Sequence, residues 1–349
     1  MSASPRADRE AVERILLSPR AAFSAAGETA RARPEEPCRV RTSFQRDCHR
    51  IVHSKAWRRL RGKTQVFFWP KGDHYRTRLT HCQEVSQIAR TLARGLGLNE
   101  DLTEAIALGH DLGHSPFGHA GEATLERLAP GGFRHEVQSL RVVEHLENDG
   151  RGLNLTAQVR DGILRHSKGT GPIMDLDPGL LPATLEGQLV RLADLIAYVN
   201  HDVDDALRAG VLSAGDIPPL PGGGAGASRS ERLTALVLDV IEHTDLDRDP
   251  VARMSAESAA GLEELRAFLH ANVYYNPEVH AEFHKAADLL ERLWTFFLAD
   301  LDRFYEIWPG ALRDGAPADD VRDFLAGMTD AFAVDLHERL FTPRRWTVY

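Results

Sequence analysis

The sequence lacks the hallmarks of several protein classes. Its three cysteines, Cys38, Cys48 and Cys82, show no C-x-x-C spacing, which argues against a disulfide framework and a zinc ribbon. No apolar run approaches the length of a membrane span, and the opening residues MSASPRADREAVER mix charges where a signal peptide needs an apolar stretch. We therefore expect a cytoplasmic protein with reduced thiols and no membrane association.

An excess of positive charge is also missing. The formal net charge is -9 over 349 residues, which excludes a protein that coats nucleic acid with its whole surface. Residues 39–63, here called the basic block, nevertheless hold nine lysines and arginines and a single acid, Asp47. The block could be a solvated helix face, a nucleic-acid contact or a polyphosphate site. We favour the last, because guanidinium forks match phosphate oxygens.

Helical periodicity dominates the chain, and no convincing run of strands is present. Apolar residues recur at steps of three and four from His81 to Leu96, so His81 should lie on the buried face of a helix. Asn99 can cap the next helix, whose apolar face includes His110. A hydrophobic content of 43% is ample for a sizeable core. These patterns predict an all-α fold.

Changes in composition divide the chain into three parts. Residues 1–36 are rich in Ala, Arg and Pro and are expected to be partly disordered or helical. Residues 37–210 contain the histidine and aspartate motifs and should form the catalytic core. Residues 211–349 are predicted to form a C-terminal helical region of the same globule, with a long amphipathic helix over residues 290–304.

Four residues form an ordered H…HD…D set on successive predicted helices: His81, His110, Asp111 and Asp194. Two imidazoles and two carboxylates suit Mn, Fe, Mg or Zn better than metals that prefer thiolates. Four protein ligands on a six-coordinate ion leave places for water and phosphate. Any one of these histidines could be a hydrogen-bonded core residue, but the ordered set predicts a metal-dependent phosphohydrolase.

The segment GHDLGHSPFGHAGE adds His114, His119 and Glu122. Pro116 should break the preceding helix and let the chain turn back across the metal site. His119 and Glu122 are three residues apart, so on a new helix they share a face and can act as an acid–base dyad. His135 is a further candidate for the wall of polar residues that these side chains would form beside the metal site. The alternative is a histidine-rich turn that only caps a helix.

Longer stretches resemble the HD-domain deoxynucleoside triphosphate triphosphohydrolases, the bacterial dGTPase family. The matching stretches are TSFQRDCHRIVHSKAWRRLRGKTQVF, GDHYRTRLTH, NEDLTEAIALGHDLGHSPFGHAGE, RHSKG and TLEGQLVRLADLIAYVNHDVDDAL. The resemblance implies an all-α HD-superfamily fold with additional helices. It also implies hydrolysis of a dNTP, either dGTP or several dNTPs, to the deoxynucleoside and triphosphate.

The resemblance assigns roles to individual residues. The implied metal ligands are His81, His110, Asp111 and Asp194, with Mn, Mg or Fe as the expected ion. The implied catalytic group is His119, near the α-phosphate and the 5′-oxygen and supported by Glu122, with His114 and His135 completing the polar wall. Whether His119 is an acid or a base stays open.

Substrate contacts follow from the same resemblance. Arg78 would hold phosphate, and Arg41 of the basic block is a further candidate. The sugar would be contacted by Gln65 and Asp202 at its 3′-OH and by Tyr198 and Tyr274 on its ring. Some relatives carry a lysine directly after the last metal aspartate, where this chain has Leu195. Another basic residue must then contact the phosphate, and Lys168 and the basic block are candidates.

Two other functions are considered. A nucleotide phosphodiesterase or 5′-nucleotidase of the HD superfamily would keep the metal ligands and cleave a different bond. A nucleotide-sensing or single-strand DNA-binding protein would keep the fold alone. The resemblance further implies a homo-oligomer, with a dNTP or single-stranded DNA as an allosteric effector.

Overall fold

The computed structural model describes residues 4–25, 29–65, 76–167, 169, 171–174, 177–219, 228–274 and 277–343, without the side chains of residues 274 and 277–280. In these residues the secondary structure is helical, and strand-like pairing is limited to two isolated bridges, Arg31 with Thr156 and Thr64 with Thr77. The prediction of an all-α fold is confirmed. No helix of the described residues is long and apolar enough to cross a membrane.

The α-helices are, in chain order, α1 (Pro5–Leu16), α2 (Ser43–Val52), α3 (Lys55–Arg59), α4 (Arg78–Gly95), α5 (Glu100–Gly109), α6 (Gly118–Leu128), α7 (His135–Arg141), α8 (Glu147–Gly150), α9 (Ala157–Arg165), α10 (Leu185–Arg208), α11 (Arg229–His243), α12 (Ala256–Leu269), α13 (Pro277–Ala299), α14 (Leu301–Ile307), α15 (Pro317–Ala326) and α16 (Asp330–Phe341). Short 3-10 turns occur at Leu60–Gly62 and Ala214–Asp216, and π turns at Val142–Leu146 and His270–Tyr274. The predicted domain boundaries at residues 36 and 210 stay predictions.

The main core lies between α4, α5 and α10, which pack on one another. Leu92, Ile106 and Ile196 are fully buried there, because the apolar stripes of amphipathic helices face inward. As predicted, Asn99 caps α5, since its side-chain oxygen accepts from the backbone N–H groups of Asp101 and Leu102 at 3.1 and 3.2 Å. This packing directs His81 of α4 and the C-terminal end of α5 toward α10.

A second core joins α6 to the C-terminal helices. Phe297 and Phe304 are fully buried in it and pack with Leu125 of α6. The buried ammonium group of Lys63 connects this region to the residues after α5, because it donates to the carbonyl oxygens of His114 and Ala326. The C-terminal helices therefore support the segment that carries the histidine-rich motif.

Candidate active site

Four predicted metal ligands converge from three helices. Nε2 of His81, from α4, lies 3.0 Å from Oδ1 of Asp194 on α10. Asp111 and His110, at the end of α5, approach the same point, with Nε2 of His110 3.3 Å from Oδ1 of Asp111 and 3.7 Å from Oδ1 of Asp194. Two overlapping groups could each hold a metal ion, since their ligand atoms lie within 4.8 Å of one another: His81 with His110 and Asp111, and Asp194 with His110 and His166.

The hydrogen bonding of His110 shows that the cluster fits a cation. Its Nδ1 donates to the carbonyl oxygen of Ala107 at 2.7 Å, so in the neutral ring Nε2 carries a lone pair. That Nε2 is buried and has no hydrogen-bond partner, although it faces the carboxylates of Asp111 and Asp194. A buried lone pair beside two acceptors is unfavourable, and a divalent ion with nitrogen and oxygen ligands resolves it.

The cluster opens toward solvent on the side of Asp194. The Asp194 side chain is 28% exposed, whereas those of His81, His110 and Asp111 are almost fully buried. Burial alone would raise the pKa of Asp194, but the hydrogen bond from His81 and the nearby His110 outweigh it and hold that pKa well below its usual range. Asp194 is therefore an anionic candidate ligand at neutral pH and marks the open face of the site.

A cavity of about 1250 Å³ lies above this open face, a volume suited to a nucleotide-sized ligand. Arg78, the first residue of α4, lines the cavity and donates from its terminal nitrogen to Oδ2 of Asp111 at 2.9 Å. Gln65 also lines the cavity, and its side-chain oxygen is buried without a hydrogen-bond partner. Both residues face the cavity, and their predicted contacts with phosphate and sugar stay predictions.

Backbone geometry places the histidine-rich motif on the cavity wall. Helix α5 ends at Gly109, well before Pro116, so the proline does not terminate it. A Cβ at Gly113 would lie 2.1 Å from the backbone nitrogen of Ser139, so only glycine permits this approach to α7. Phe117, with φ of 63°, and Gly118, with φ of 53°, then start α6 from left-handed conformations. This turn lets α6 line the same cavity as the candidate ligands His81, Asp111 and Asp194.

Glu122, the predicted partner of His119, also binds a residue that the sequence did not predict. Oε1 of Glu122 accepts from both Nδ1 and the backbone N–H of His135, at 2.8 and 2.9 Å. The ring of His135 stacks on that of His114 at a centroid separation of 4.0 Å, and Nε2 of His114 lies 3.3 Å from Oδ1 of Asp111. Helical spacing placed Glu122 on the correct face, but it could not show that α7 supplies the partner.

The histidines of the wall differ in charge. Burial opposes charge on His135, but Glu122 outweighs it and raises the pKa of His135 to about 9. Despite its burial, the pKa of Glu122 falls well below its usual range. For His119, desolvation and the positive charge of Arg78 lower the pKa, while the side chain keeps solvent access inside the cavity. At neutral pH the wall holds an imidazolium–carboxylate pair and a neutral His119.

The basic block does not reach this cavity. The arginines that line it are Arg78, Arg127, Arg134, Arg191 and Arg266. In the block, Arg46 and Arg50 bind Glu35, and Arg41 lies 2.9 Å from Nδ1 of His49. The structure therefore does not bring Arg41 to the cavity, because its segment packs against the N-terminal region. Lys168 lies outside the described residues.

The predicted sugar contacts are only partly brought together. Tyr198 lines the cavity, but Asp202 is fully buried, does not line it and hydrogen-bonds Tyr198. Its pKa is raised well above the usual range by that burial. Asp202 is thus placed to orient Tyr198. The side chain of Tyr274 lies outside the described residues.

Sequence reasoning missed three residues of the site. His166 lies between the wall and the metal ligands, with Nε2 3.1 Å from Nε2 of His135 and its ring 4.8 Å from that of His110. His201 contacts Nδ1 of His81, the ring nitrogen that does not contact Asp194. Arg191 lies three residues before Asp194 on α10 and lines the cavity. The motif RHSKG contains His166, and the helical stretch that ends in NHDVDDAL contains the other two.

Comparisons with known proteins agree with this geometry. The family model of the HD domain matches residues 78–198, which contain all four candidate ligands, and that of the phosphohydrolase-associated domain matches residues 252–339. A deoxyguanosinetriphosphate triphosphohydrolase-like protein of Caldanaerobacter subterraneus subsp. tengcongensis is 49% identical over 97% of this chain and 96% of its own. This chain belongs to the dGTP triphosphohydrolase-like family. The family resemblance predicted from its motifs is confirmed.

Other members of the dGTP triphosphohydrolase-like family match over similar lengths. The protein of that name from Desulfatibacillum aliphaticivorans is 48% identical over 94% of this chain and 95% of its own, and that from Bordetella pertussis is 40% identical over 94% and 97%. A solved structure of a hypothetical protein from Aquifex aeolicus matches with a TM-score of 0.48 and 18% identity, over 85% of this chain and 68% of that one. The family assignment therefore rests on the sequence relatives.

Proposed function

We propose that this protein hydrolyses deoxynucleoside triphosphates to the deoxynucleoside and intact triphosphate, in a reaction that needs a divalent metal ion. The observation that carries the proposal is the lone pair of His110, which faces Asp111 and Asp194 at the floor of a cavity with arginines on its walls. The names of the relatives, which refer to deoxyguanosine triphosphate, support a dNTP as the substrate.

The metal would be held by His81, His110, Asp111 and Asp194, with Mn, Mg or Fe as the expected ion. When bound, it would withdraw charge from a phosphoryl oxygen and acidify a coordinated water. Because Asp194 is the ligand with solvent access, the substrate would approach from its side.

The triphosphate would be held by arginines of the cavity. Arg78 lies beside Asp111, so it can bind a phosphate oxygen next to the metal. Arg191 is nearly buried on α10, one helical turn before Asp194, and Arg266 of α12 lines the same space. We assign to Arg191 and Arg266 the charge that some relatives supply by a lysine at the position of Leu195.

Proton transfer is assigned to His119. Its imidazole is accessible in the cavity and neutral in the free protein. The negative charge of a bound triphosphate would raise its pKa and let it protonate the departing 5′-oxygen. The His135–Glu122 pair and His114 would hold the wall in place around it. The deoxyribose of the substrate would be contacted by Gln65 and by Tyr198, which Asp202 orients.

Product analysis tests this function. Purified protein is incubated with each of the four dNTPs and with Mn²⁺, Mg²⁺ or Fe²⁺, and products are resolved by ion-exchange chromatography. The proposal expects triphosphate and deoxynucleoside. Monophosphate with pyrophosphate would overturn it. Hydrolysis of dNMP or cyclic dinucleotides without dNTP hydrolysis would favour the alternative HD-superfamily hydrolase, and binding of single-stranded DNA without turnover would favour the binding protein.

Assembly and regulation stay predictions. Homo-oligomerisation can be measured by light scattering of the purified chain. If a dNTP or single-stranded DNA is an allosteric effector, its addition should change the rate at which the protein hydrolyses a different dNTP.

A further inference from the structure

The two candidate histidine ligands are oriented in different ways. His110 is fixed within its own segment, since its Nδ1 donates to the carbonyl oxygen of Ala107. His81 directs Nε2 at Asp194, and its Nδ1 lies 3.5 Å from Nδ1 of His201 on α10, with the two rings nearly perpendicular at 85°. The orientation of His81 therefore depends on a side chain from another helix.

The contacts of His201 favour one tautomer of His81 when an ion is bound. Nε2 of His201 contacts Oε2 of Glu84, and an ionised carboxylate only accepts hydrogen bonds, so this nitrogen is the donor. In the neutral ring Nδ1 is then an acceptor, and Nδ1 of His81, which lies 3.5 Å away, can donate to it. An ion at the site would replace the hydrogen bond from Nε2 of His81 to Asp194, and Nε2 would then carry its lone pair because Nδ1 holds the ring proton. This is the tautomer that a metal ligand needs.

We propose that His201 and Glu84 form a positioning relay that holds His81 with its Nε2 lone pair directed into the metal site. The proposal rests on the metal site proposed above. Neither residue lines the cavity, so both act through His81 and not through the substrate.

Glu84, the outer end of the relay, is fixed by two arginines. Nε of Arg76 lies 3.2 Å from its Oε2, and a terminal nitrogen of Arg229 lies 3.2 Å from its Oε1. Both arginines also pair with Asp204 on α10, at 3.4 Å each. Opposing charges therefore hold the carboxylate from two sides, and it can orient His201 in turn.

The expected effect is on metal affinity. Residues that orient a ligating histidine through its second nitrogen typically change metal affinity or activity by about 10- to 100-fold when replaced. Loss of Glu84 removes the acceptor for His201. Loss of the His201 imidazole leaves Nδ1 of His81 without its hydrogen-bond acceptor. Either change lets the His81 ring rotate or change tautomer.

The test is calorimetric titration of metal-free protein with MnCl2. Glu84→Ala and His201→Phe should raise the Kd for Mn²⁺ about 10- to 100-fold. His201→Gln should restore it to within about threefold of wild type, because the amide can accept from His81 and donate to Glu84. The matched control is Glu144→Ala, which removes a glutamate of equal exposure, 27% against 28%, that binds Arg160. It should leave the Kd unchanged.

Circular dichroism of each variant shows whether it folds. If one of Glu84→Ala and His201→Phe does not fold, the other carries the test, because each removes one member of the relay. Folded Glu84→Ala and His201→Phe variants that bind Mn²⁺ within twofold of wild type would overturn the relay and leave the proposed function intact. Wild-type protein that binds no Mn²⁺ would overturn the metal site and the relay with it. Normal Mn²⁺ binding without dNTP turnover would contradict only the proposed function.

Discussion

Glu122 binds His135 through a single carboxylate oxygen, which lies 2.8 Å from Nδ1 and 2.9 Å from the backbone nitrogen of that histidine. This contact ties the start of α7 to α6, so the two helices that carry the cavity wall hold each other. It also fixes the charge of the pair, since it raises the pKa of His135 to about 9 and lowers that of Glu122. The wall presents an ion pair beside a neutral His119.

Replacement of this carboxylate should change stability in a pH-dependent way. A histidine pKa raised from 6.5 to about 9 stabilises the fold fully below pH 6.5, and this stabilisation is lost as pH rises through 9. The lowered pKa of Glu122 gives stabilisation above pH 4.5 that is lost as pH falls. Glu122→Gln should therefore lower the Tm most between about pH 5 and pH 8. Scanning calorimetry of metal-free protein checks this.

The control for that series is Glu144→Gln, which removes a glutamate paired with Arg160. Arginine keeps its charge throughout this range, so the Tm deficit of the Glu144→Gln variant should not fall between pH 7 and pH 10. A Tm deficit of Glu122→Gln that is equally constant up to pH 10 would show that Glu122 does not set the charge of His135.

His110→Ala should abolish metal binding. The substitution removes the buried lone pair that faces Asp111 and Asp194. The two carboxylates are then left with a single imidazole, that of His81. Inductively coupled plasma mass spectrometry after Mn²⁺ loading should find metal in wild type and none in the variant. His243→Ala, on the exposed end of α11, is the control. Full metal content in His110→Ala would remove His110 from the ligand set.

Arg191→Ala should weaken substrate binding and leave metal binding intact. A hydrogen bond between charged groups contributes about 1.5–3 kcal/mol, so the KM for dGTP should rise roughly 10- to 100-fold. Arg191→Lys should recover part of the loss, because a lysine retains the charge without the fork geometry. Arg90→Ala removes a surface arginine that pairs with Glu100 and serves as control. An unchanged KM in Arg191→Ala would show that Arg191 does not contact the triphosphate.

His119→Ala should lower kcat by about 100- to 10,000-fold, the usual range for a general acid or base. Its metal content should match wild type, because His119 is not among the four candidate ligands. Steady-state kinetics and metal analysis on the same preparation separate the two effects. Loss of metal from His119→Ala would mean that the residue has a different role.

The sequence predicted those parts of the site that depend on helical phase. The apolar steps after His81 place it inward, and the cap at Asn99 sets the phase that turns His110 and Asp111 to the same side. Local spacing determines the face of a helix on which a residue lies. The four candidate ligands could be selected for this reason, before the packing of α4, α5 and α10 was known, and their binding of a metal stays a prediction.

Contacts between distant segments could not be predicted in this way. Helical spacing allowed Glu122 to serve His119, but its partner His135 comes from α7 after a loop that spacing does not describe. The basic block has the composition of a phosphate site, yet its arginines neutralise Glu35 and bind backbone carbonyls. Composition gives the number of charges, whereas tertiary packing decides which are already paired.

In the proposed reaction, water attacks the α-phosphorus and the 5′-oxygen leaves with the deoxynucleoside. Hydrolysis of dGTP with Mn²⁺ in ¹⁸O-labelled water, followed by mass spectrometry of the products, tests it most directly. The account predicts intact triphosphate that carries one ¹⁸O atom and unlabelled deoxyguanosine. Labelled deoxyguanosine would show attack at the sugar carbon, and formation of pyrophosphate would show cleavage of a different bond, and either result would contradict the account.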